Sequence, residues 1–349
     1  MRILFDGFWW ADGPAANRTV QREFVLAWHA AFPDDEIVLA VRRDDHSPVP
    51  PSVEVVRTRL WPQAVANLVE LPVLARRARA DVVVAHNFAP LLGRSVSFIH
   101  DAMFVDHPAW FTRFERTYFA AMLPSARRAA VVATSTRTEA DRITRLAPRL
   151  APITVTGLAV PPALAEAVPA RPIDLDVDGF ALTVGRLNVR KNLERLIEGA
   201  GEAQRITART PLLVVGSSEH SGVSGTLPPA IDALRDSGRV RFLGRLSDAE
   251  LAWLYAHADL TVSLTRDEGF GMTPIEAAHF GSPLLVSDIP VHHETVGDYA
   301  RFVDPDAPAG EIGAAIDASW GARPAETASA AVRARWTWDR AVRALRTEL

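Results

Sequence analysis

Short, continuously apolar runs separated by helical patterns make up most of this chain, and few folds accommodate that combination. In the first half the runs are Arg2–Phe8, Glu36–Arg42, Val53–Arg57, Asp81–His86, Val96–His100, Ala130–Thr134 and Ile153–Thr156. In the second half they are Phe180–Gly185, Leu212–Gly216, Val240–Gly244, Leu260–Leu264, Pro283–Ser287 and Arg301–Val303. A strand with one face in water alternates apolar and polar residues. These runs do not alternate, so both of their faces should be covered. Helical spacing falls between most of them, for instance over Asn17–Phe32, Ala64–Ala80, Asn192–Glu202 and Asp248–His257. Strand–helix alternation predicts an α/β fold of parallel sheets with helices on both faces.

With 349 residues the chain can form two such domains, each with its own core. The Pro- and Ala-rich stretch from Val160-Pro161-Pro162 to Asp178-Gly179 has no sustained period and reads as a linker. The expected organisation is a domain over 1–160, a linker over 161–178, a second domain over 179–325 and a last helical segment over 326–349. Two doubly wound domains facing each other leave a cleft, and ligands of such sheets sit beyond the carboxyl ends of the strands. The loops after the strands are therefore where chemistry is expected.

Composition removes several classes of function. The net charge is −4, which gives no basic face for nucleic acid. The absence of cysteine excludes disulfides, thiolate metal sites and a thiol nucleophile. The apolar start Met1–Phe5 is too short for a signal peptide, and no run is long enough to span a bilayer. A cytoplasmic protein is expected.

The loops of the second half carry the strongest signals. In Gly185-Arg186-Leu187-Asn188-Val189-Arg190-Lys191-Asn192 a strand ends and a helix begins, with Asn192 as the expected N-cap. Arg186, Arg190 and Lys191 crowd that helix start, where each cation opposes the helix dipole by roughly 0.3–1 kcal/mol. A bound anion such as a diphosphate would reverse that penalty; an arginine-rich surface loop is the plainer alternative. The next such loop is Glu268-Gly269-Phe270-Gly271-Met272-Thr273-Pro274-Ile275-Glu276. Here Thr273 is the expected N-cap, Pro274 the first helical residue, and the amides of Gly271, Met272 and Thr273 face the strand end. Carboxylates accept well from vicinal hydroxyls, so Glu268 can reach a sugar and Glu276 a ribose. Glu276 also fits a capping box, Thr273-x-x-Glu276, whereas Glu268 has no local helix role. Gly216, after Val214-Val215, and Arg245-Leu246, before the capping box Ser247-x-x-Glu250, end two further strands. Arg245 suits either stacking on a base or the solvated surface.

The block from Glu268 to Glu276 resembles the E-x7-E motif of family-4 retaining glycosyltransferases of the GT-B fold, two facing Rossmann-like domains. Arg186 and Lys191 are similar to that family's R-x4-K loop, and His100-Asp101 and Trp336-Thr337-Trp338-Asp339 resemble further landmarks. The resemblance implies a nucleotide-diphosphate sugar donor bound by the second domain. The acceptor, a glycan, a lipid-linked glycan or a small molecule, would be bound by the first. The hexosyl transfer, mannosyl transfer among the options, would retain anomeric configuration and need no metal or other cofactor. The last helix would cross back to the first domain. By the same resemblance Arg186 and Lys191 neutralise the leaving diphosphate and Glu276 binds ribose. Glu268, Phe270, Gly271, Met272 and Thr273 hold the sugar and phosphate beside Gly185 and Gly216, while Arg245 and Leu246 flank the base. His100 approaches the sugar and completes the catalytic set of Glu268, Arg186 and Lys191.

The family's paired glycines near the start are replaced here by Trp9-Trp10-Ala11-Asp12-Gly13. Gly13, Trp9, Trp10 and Asp101 are candidate acceptor contacts, with core packing the alternative for the tryptophans. Asp174-Leu175-Asp176-Val177-Asp178 looks like a D-x-D metal motif but precedes a strand, so it reads as an acidic surface stretch. The aromatic and basic residues of Trp110–Arg128 suit a helix packed on its own sheet, with a peripheral membrane contact as the alternative. A nucleotide-sugar epimerase and an inactive glycan- or nucleotide-binding module are the competing readings of the whole chain. The oligomeric state is not legible.

Overall fold

The computed structural model describes residues 1–150, 152–185, 188–216 and 230–349. Two compact units emerge. Unit 1 comprises Met1–Pro108, Arg113–Leu158 and Trp336–Leu349; unit 2 comprises Ala109–Thr112 and Ala159–Arg335.

Unit 1 is built on strands β1 (Arg2–Gly7), β2 (Glu36–Arg42), β3 (Glu54–Thr58), β4 (Val82–His86), β5 (Ser95–Phe98), β6 (Val131–Thr134) and β7 (Ile153–Val155). They are all parallel, in the order β3-β2-β1-β4-β5-β6-β7. Unit 2 has β8 (Ala181–Val184), β9 (Leu212–Val215), β10 (Val240–Gly244), β11 (Leu260–Ser263), β12 (Leu284–Ser287) and β13 (Arg301–Val303). These are also parallel, in the order β10-β9-β8-β11-β12-β13. Each continuous apolar run of the sequence is a strand within about two residues, and the central strands β4, β9, β11 and β12 are buried along their whole length. Burial on both faces is the reason the runs do not alternate. In each sheet the winding reverses once, between β1 and β4 and between β8 and β11. At such a switch point the two loops leave in opposite directions and open a crevice.

Local chemistry explains where helices depart from their expected spans. Ala64–Ala80 is divided into Gln63–Val65, a π-helical turn Ala66–Glu70, and Leu71–Arg77. Pro72 has no amide hydrogen for the Leu68 carbonyl, which accepts instead from the Leu91 amide at 3.1 Å. Trp110–Arg128 is likewise two short helices, Arg113–Phe119 and Met122–Ala126.

The expected linker is not one. Residues from Ala159 belong to unit 2, where the short helix Pro162–Ala165 packs on helix Asp248–His257 and Leu164 and Leu175 are buried. Asp176 accepts from Arg209 Nη1 at 3.0 Å, and Asp178 accepts from both Nε and Nη2 of the same guanidinium, so these acids are ion-paired. The C-terminal segment divides at Trp336. Helix Glu326–Arg335 stays with unit 2, and helix Trp338–Arg346 packs in unit 1 on helix Ala15–Ala31, with Trp338 edge-on to Phe24 and Arg346 3.0 Å from Asp35. No helix among the described residues is long and apolar enough to cross a membrane.

Within unit 2, helix Leu193–Glu202 crosses helix Ala309–Ser319 so closely at Gly199 that an added Cβ would stand 2.3 Å from Ile312 Cγ2. Gly310, in the second of these helices, has nothing within 4 Å of that position. Gly199→Ala should therefore destabilise by about 1–3 kcal/mol, whereas Gly310→Ala should stabilise by up to about 1 kcal/mol. Thermal unfolding of the two variants would reveal opposite shifts in Tm; equal shifts would refute the close approach.

Candidate functional site

The β8/β11 switch point gathers most of the second-half residues. After β8 the chain makes a 3-10 turn, Val189–Lys191, capped by Asn188, whose Oδ1 accepts from the Lys191 amide at 2.9 Å. This displaces the expected cap. Asn192 is left-handed, with φ 53°, and its side chain donates to the Pro305 carbonyl at 2.7 Å instead of capping helix Leu193–Glu202. Arg186 and Leu187 lie outside the described residues.

The loop after β11 is stitched to this turn. The Arg190 carbonyl accepts from the Arg266 amide at 2.9 Å and from Thr265 Oγ1 at 3.0 Å. Arg190 Nη1 donates to Glu268 Oε2 at 2.7 Å and to the Asp267 carbonyl at 3.0 Å, while Lys191 Nζ is paired with Glu268 Oε1. Glu268 is only 9% exposed. Burial alone would raise its pKa, but the charges of Arg190 and Lys191 outweigh burial and hold it well below the usual carboxylate range. Each cation is about one-fifth exposed, so both keep a face toward solvent.

Helix Met272–His279 begins two residues earlier than expected. Its N-cap is Gly271, with φ 84°, and no side chain caps it. Thr273 lies inside the helix and donates to the Val184 carbonyl at 3.2 Å, and Pro274 is its third residue. The Thr273–Glu276 capping box is therefore absent. Glu276 accepts from the Tyr255 hydroxyl at 2.8 Å. Burial raises the Glu276 pKa against that hydrogen bond, and burial with Glu276 nearby raises Tyr255 well above its ordinary value. The Lys191 charge acts on both glutamates, so the switch point brings Lys191, Glu268 and Glu276 together. Phe270 is buried and Met272 half-buried. A cavity of about 20 Å³, room for one water, opens beside Gly185 and Lys191.

The remaining second-half candidates line the strand ends. The Gly216 amide donates to the Gly244 carbonyl at 2.9 Å. Arg245 is exposed and Leu246 half-buried, and the expected Ser247–Glu250 capping box is present.

In unit 1 the β1/β4 switch point is organised by a residue the sequence reading passed over. Asp6, at the end of β1, is buried, and its Oδ2 accepts from Gln63 at 2.9 Å, Asn67 at 2.8 Å, Gln21 at 3.3 Å and the His86 amide at 3.2 Å. Gln21 and Gln63 in turn accept from the amide and the indole nitrogen of Trp9 at 2.9 and 2.8 Å. Gly13 closes the turn, because a Cβ there would meet the Trp9 ring at 2.1 Å. Trp10 is 1% exposed and donates to the Pro48 carbonyl, so it is a core residue with no face open to an acceptor. His100 Nε2 is 3.2 Å from Nδ1 of the buried His86, and the rings stack. Burial lowers His100 to about 4 and His86 well below 6.5, so both are neutral at pH 7. Asp101 Oδ1 accepts from the Met103 amide at 3.3 Å. A larger cavity, about 690 Å³, lies against β6, β7 and the C-terminal helix of unit 1, away from all of these residues.

Asp6, His86 and Tyr255 were missed because their partners are remote in sequence. The only signal was position, an acid or histidine at a strand end or a tyrosine before a buried strand. Among the described residues no group of three or more His, Asp or Glu could hold a metal ion.

Residues 174–318 match the family model for glycosyl transferases group 1. O-antigen chain mannosyltransferase RfbU of Salmonella typhimurium is 33% identical over 129 residues, covering 37% of this chain and 35% of that protein. O-antigen chain mannosyltransferase B of Escherichia coli is 28% identical over 226 residues, covering 62% and 58%. The chain thus spans about a third to three-fifths of the length of these relatives. Sucrose-phosphate synthase from Thermosynechococcus elongatus has the same architecture, with a TM-score of 0.75, 17% identity and coverage of 99% of this chain and 97% of that one. Residues 174–318 thus carry a glycosyl transferases group 1 domain, and the two parallel Rossmann-like sheets give the chain the GT-B fold, which makes it similar to the family-4-like glycosyltransferases.

Proposed function

We propose that the protein transfers a hexosyl group from a nucleotide-diphosphate sugar to a glycan or lipid-linked acceptor, with retention of configuration and without a divalent ion. The observation that carries this reading is the clasp of Arg190 and Lys191 on Glu268, beside the uncapped start of helix Met272–His279. Two cations and a set of free amides are what a leaving diphosphate needs when no metal neutralises it. In the reading, the diphosphate takes over the cations together with Arg186. Glu268, released, accepts from the sugar hydroxyls, and Glu276 from the ribose. Phe270, Gly271 and Met272 hold the sugar, while Arg245 and Leu246 flank the base. His100, Asp101, Trp9 and Gly13 serve sugar and acceptor contacts in unit 1. The names of the two mannosyltransferase relatives favour a mannosyl donor. An epimerase would place further acid–base groups around the sugar, and nothing in the site favours it.

A membrane-bound acceptor is supported by the surface of unit 1. Val65, Val69 and Val73 follow one another every four residues along a helix and are 39–50% exposed, beside Trp61, Leu92 and Phe114 at 64–75%. Residues 59–79, 91–94 and 113–118 carry seven arginines against two glutamates, in a chain whose net charge is −4. An apolar stripe set in local positive charge fits an anionic bilayer at the cytoplasmic face.

Two tests follow. Glu268→Gln should lower transfer at least a hundredfold, yet tighten binding of the bare nucleoside diphosphate several-fold, because a competing carboxylate has been neutralised. Lys191→Ala should weaken the same binding, most at low salt. Calorimetric titration with UDP and GDP, with and without EDTA, checks both; weaker binding to the Glu268 variant, or dependence on the metal, contradicts the reading. For the surface, co-sedimentation with vesicles containing phosphatidylglycerol should exceed that with phosphatidylcholine alone and should fall several-fold in Trp61→Ser/Val69→Ser. Equal binding to both vesicles, or a dimer that the double variant dissolves, would assign the stripe to another partner.

A further inference from the structure

His292 lies in unit 2, in the short helix Pro290–Val296 that follows β12. It is fully buried, and its Nδ1 is 2.9 Å from the carbonyl oxygen of Ser287. A carbonyl only accepts, so Nδ1 carries the ring hydrogen and Nε2 presents a lone pair. Burial, the largest influence, brings the ring to about 4 against the pull of Ser287 and Glu268, so this tautomer is neutral at pH 7. Among the described residues Nε2 has no hydrogen-bond partner. Buried polar atoms without partners are uncommon enough to call for an explanation.

The ring edge faces the donor loop. A Cβ on Gly271 would stand 3.5 Å from His292 Cδ2 and 3.6 Å from Nε2, so the imidazole rests against the turn that starts helix Met272–His279. The charges of Glu268 and Lys191 both act on it. This neighbourhood is rich in donors: Lys191, Arg190 and the amides of the helix start. Acceptors are fewer: Glu268, whose oxygens the cations hold until a diphosphate takes them over, is one, and His292 Nε2 is another. A sugar has several hydroxyl hydrogens to place, more than one carboxylate serves, and Nε2 offers a lone pair with no other claim on it.

We propose that His292 Nε2 accepts the hydrogen of one hydroxyl group of the donor sugar, which makes His292 a specificity-determining residue. The inference rests on the transferase reading and deepens it. A packing role would need only a ring of this size. The acceptor role needs a lone pair at the Nε2 position, which glutamine reproduces and asparagine does not, since its amide ends near Nδ1.

The test uses GDP-mannose and UDP-glucose, each with its 2-, 3-, 4- and 6-deoxy analogues, and compares kcat/KM for the wild type, His292→Phe, His292→Asn and His292→Gln. The wild type should prefer the parent sugar over one deoxy analogue by tenfold or more. In His292→Phe and His292→Asn that preference should collapse to less than threefold, because the parent loses rate and the analogue does not. His292→Gln should restore it. A uniform loss across all sugars, or a lower Tm with discrimination intact, leaves His292 a packing residue and overturns the proposal. Absence of turnover by the wild type on every donor removes the transferase reading itself, and this inference with it.

Discussion

A carboxylate taken almost wholly out of water stays ionised only if something replaces its hydration, and Glu268 is such a carboxylate. Its replacement is two cations from another loop, 77 and 78 residues away in sequence. Neither partner could be removed lightly, since a buried charge left alone costs several kcal/mol, typically about 3–5. The clasp therefore ties the loop after β8 to the loop after β11, and the carbonyl of Arg190 is drawn in through Thr265 and Arg266. What the switch point of the sheet opens as a crevice, this interaction fixes as a geometry. In the function proposed above, the same cations would pass from the protein's own anion to a ligand's, with the uncapped start of helix Met272–His279 in the same loop as Glu268.

The corresponding place in unit 1 is solved differently. Asp6 lies at the end of β1 at the β1/β4 switch point, even more deeply buried than Glu268, and among the described residues its hydrogen-bond partners are neutral. Gln21, Gln63, Asn67 and backbone amides supply the hydrogen bonds instead. Neutral donors compensate burial less than charges do, so the Asp6 pKa is raised where that of Glu268 is lowered. The consequence is chemical. Unit 2 places positive charge at its switch point, and unit 1 offers a polar scaffold whose outer members hold Trp9. In the transfer proposed above, charge in one unit would meet the anionic leaving group and the aromatic edge in the other the face of a sugar.

The sheets were legible because burial on both faces writes itself into each strand residue by residue. Caps were less so. Asn188, Asn192 and Thr273 are all residue types that cap helices, and sequence spacing favoured Asn192 and Thr273; tertiary partners, the Pro305 and Val184 carbonyls, took their side chains instead. Ser247 caps its helix as the spacing predicts. The stretch after Val160 looked like a linker because proline hides periodicity, yet Leu164 and Leu175 are buried. Glu268, Glu276 and Lys191 stood out in sequence. The engagement of Glu268 by Arg190 and of Glu276 by Tyr255 did not, because contacts across a parallel sheet leave no local trace.

One missing hydrogen connects the helix to the surface of unit 1. Pro72 leaves the Leu68 carbonyl without its helical donor, and the Leu91 amide fills the vacancy. That bond fastens the loop carrying Leu92 to the helix carrying Val65, Val69 and Val73. In an unbroken α-helix, residues four apart drift steadily around the axis, because 3.6 residues make a turn. The wider π turn over Ala66–Glu70 drifts the other way, so the valines stay closer to one line than a regular helix would keep them. A proline in a helix is ordinarily a local cost. Here its geometric effects converge on one exposed apolar stripe, and a stripe left in water is a burden that contact with a bilayer would remove.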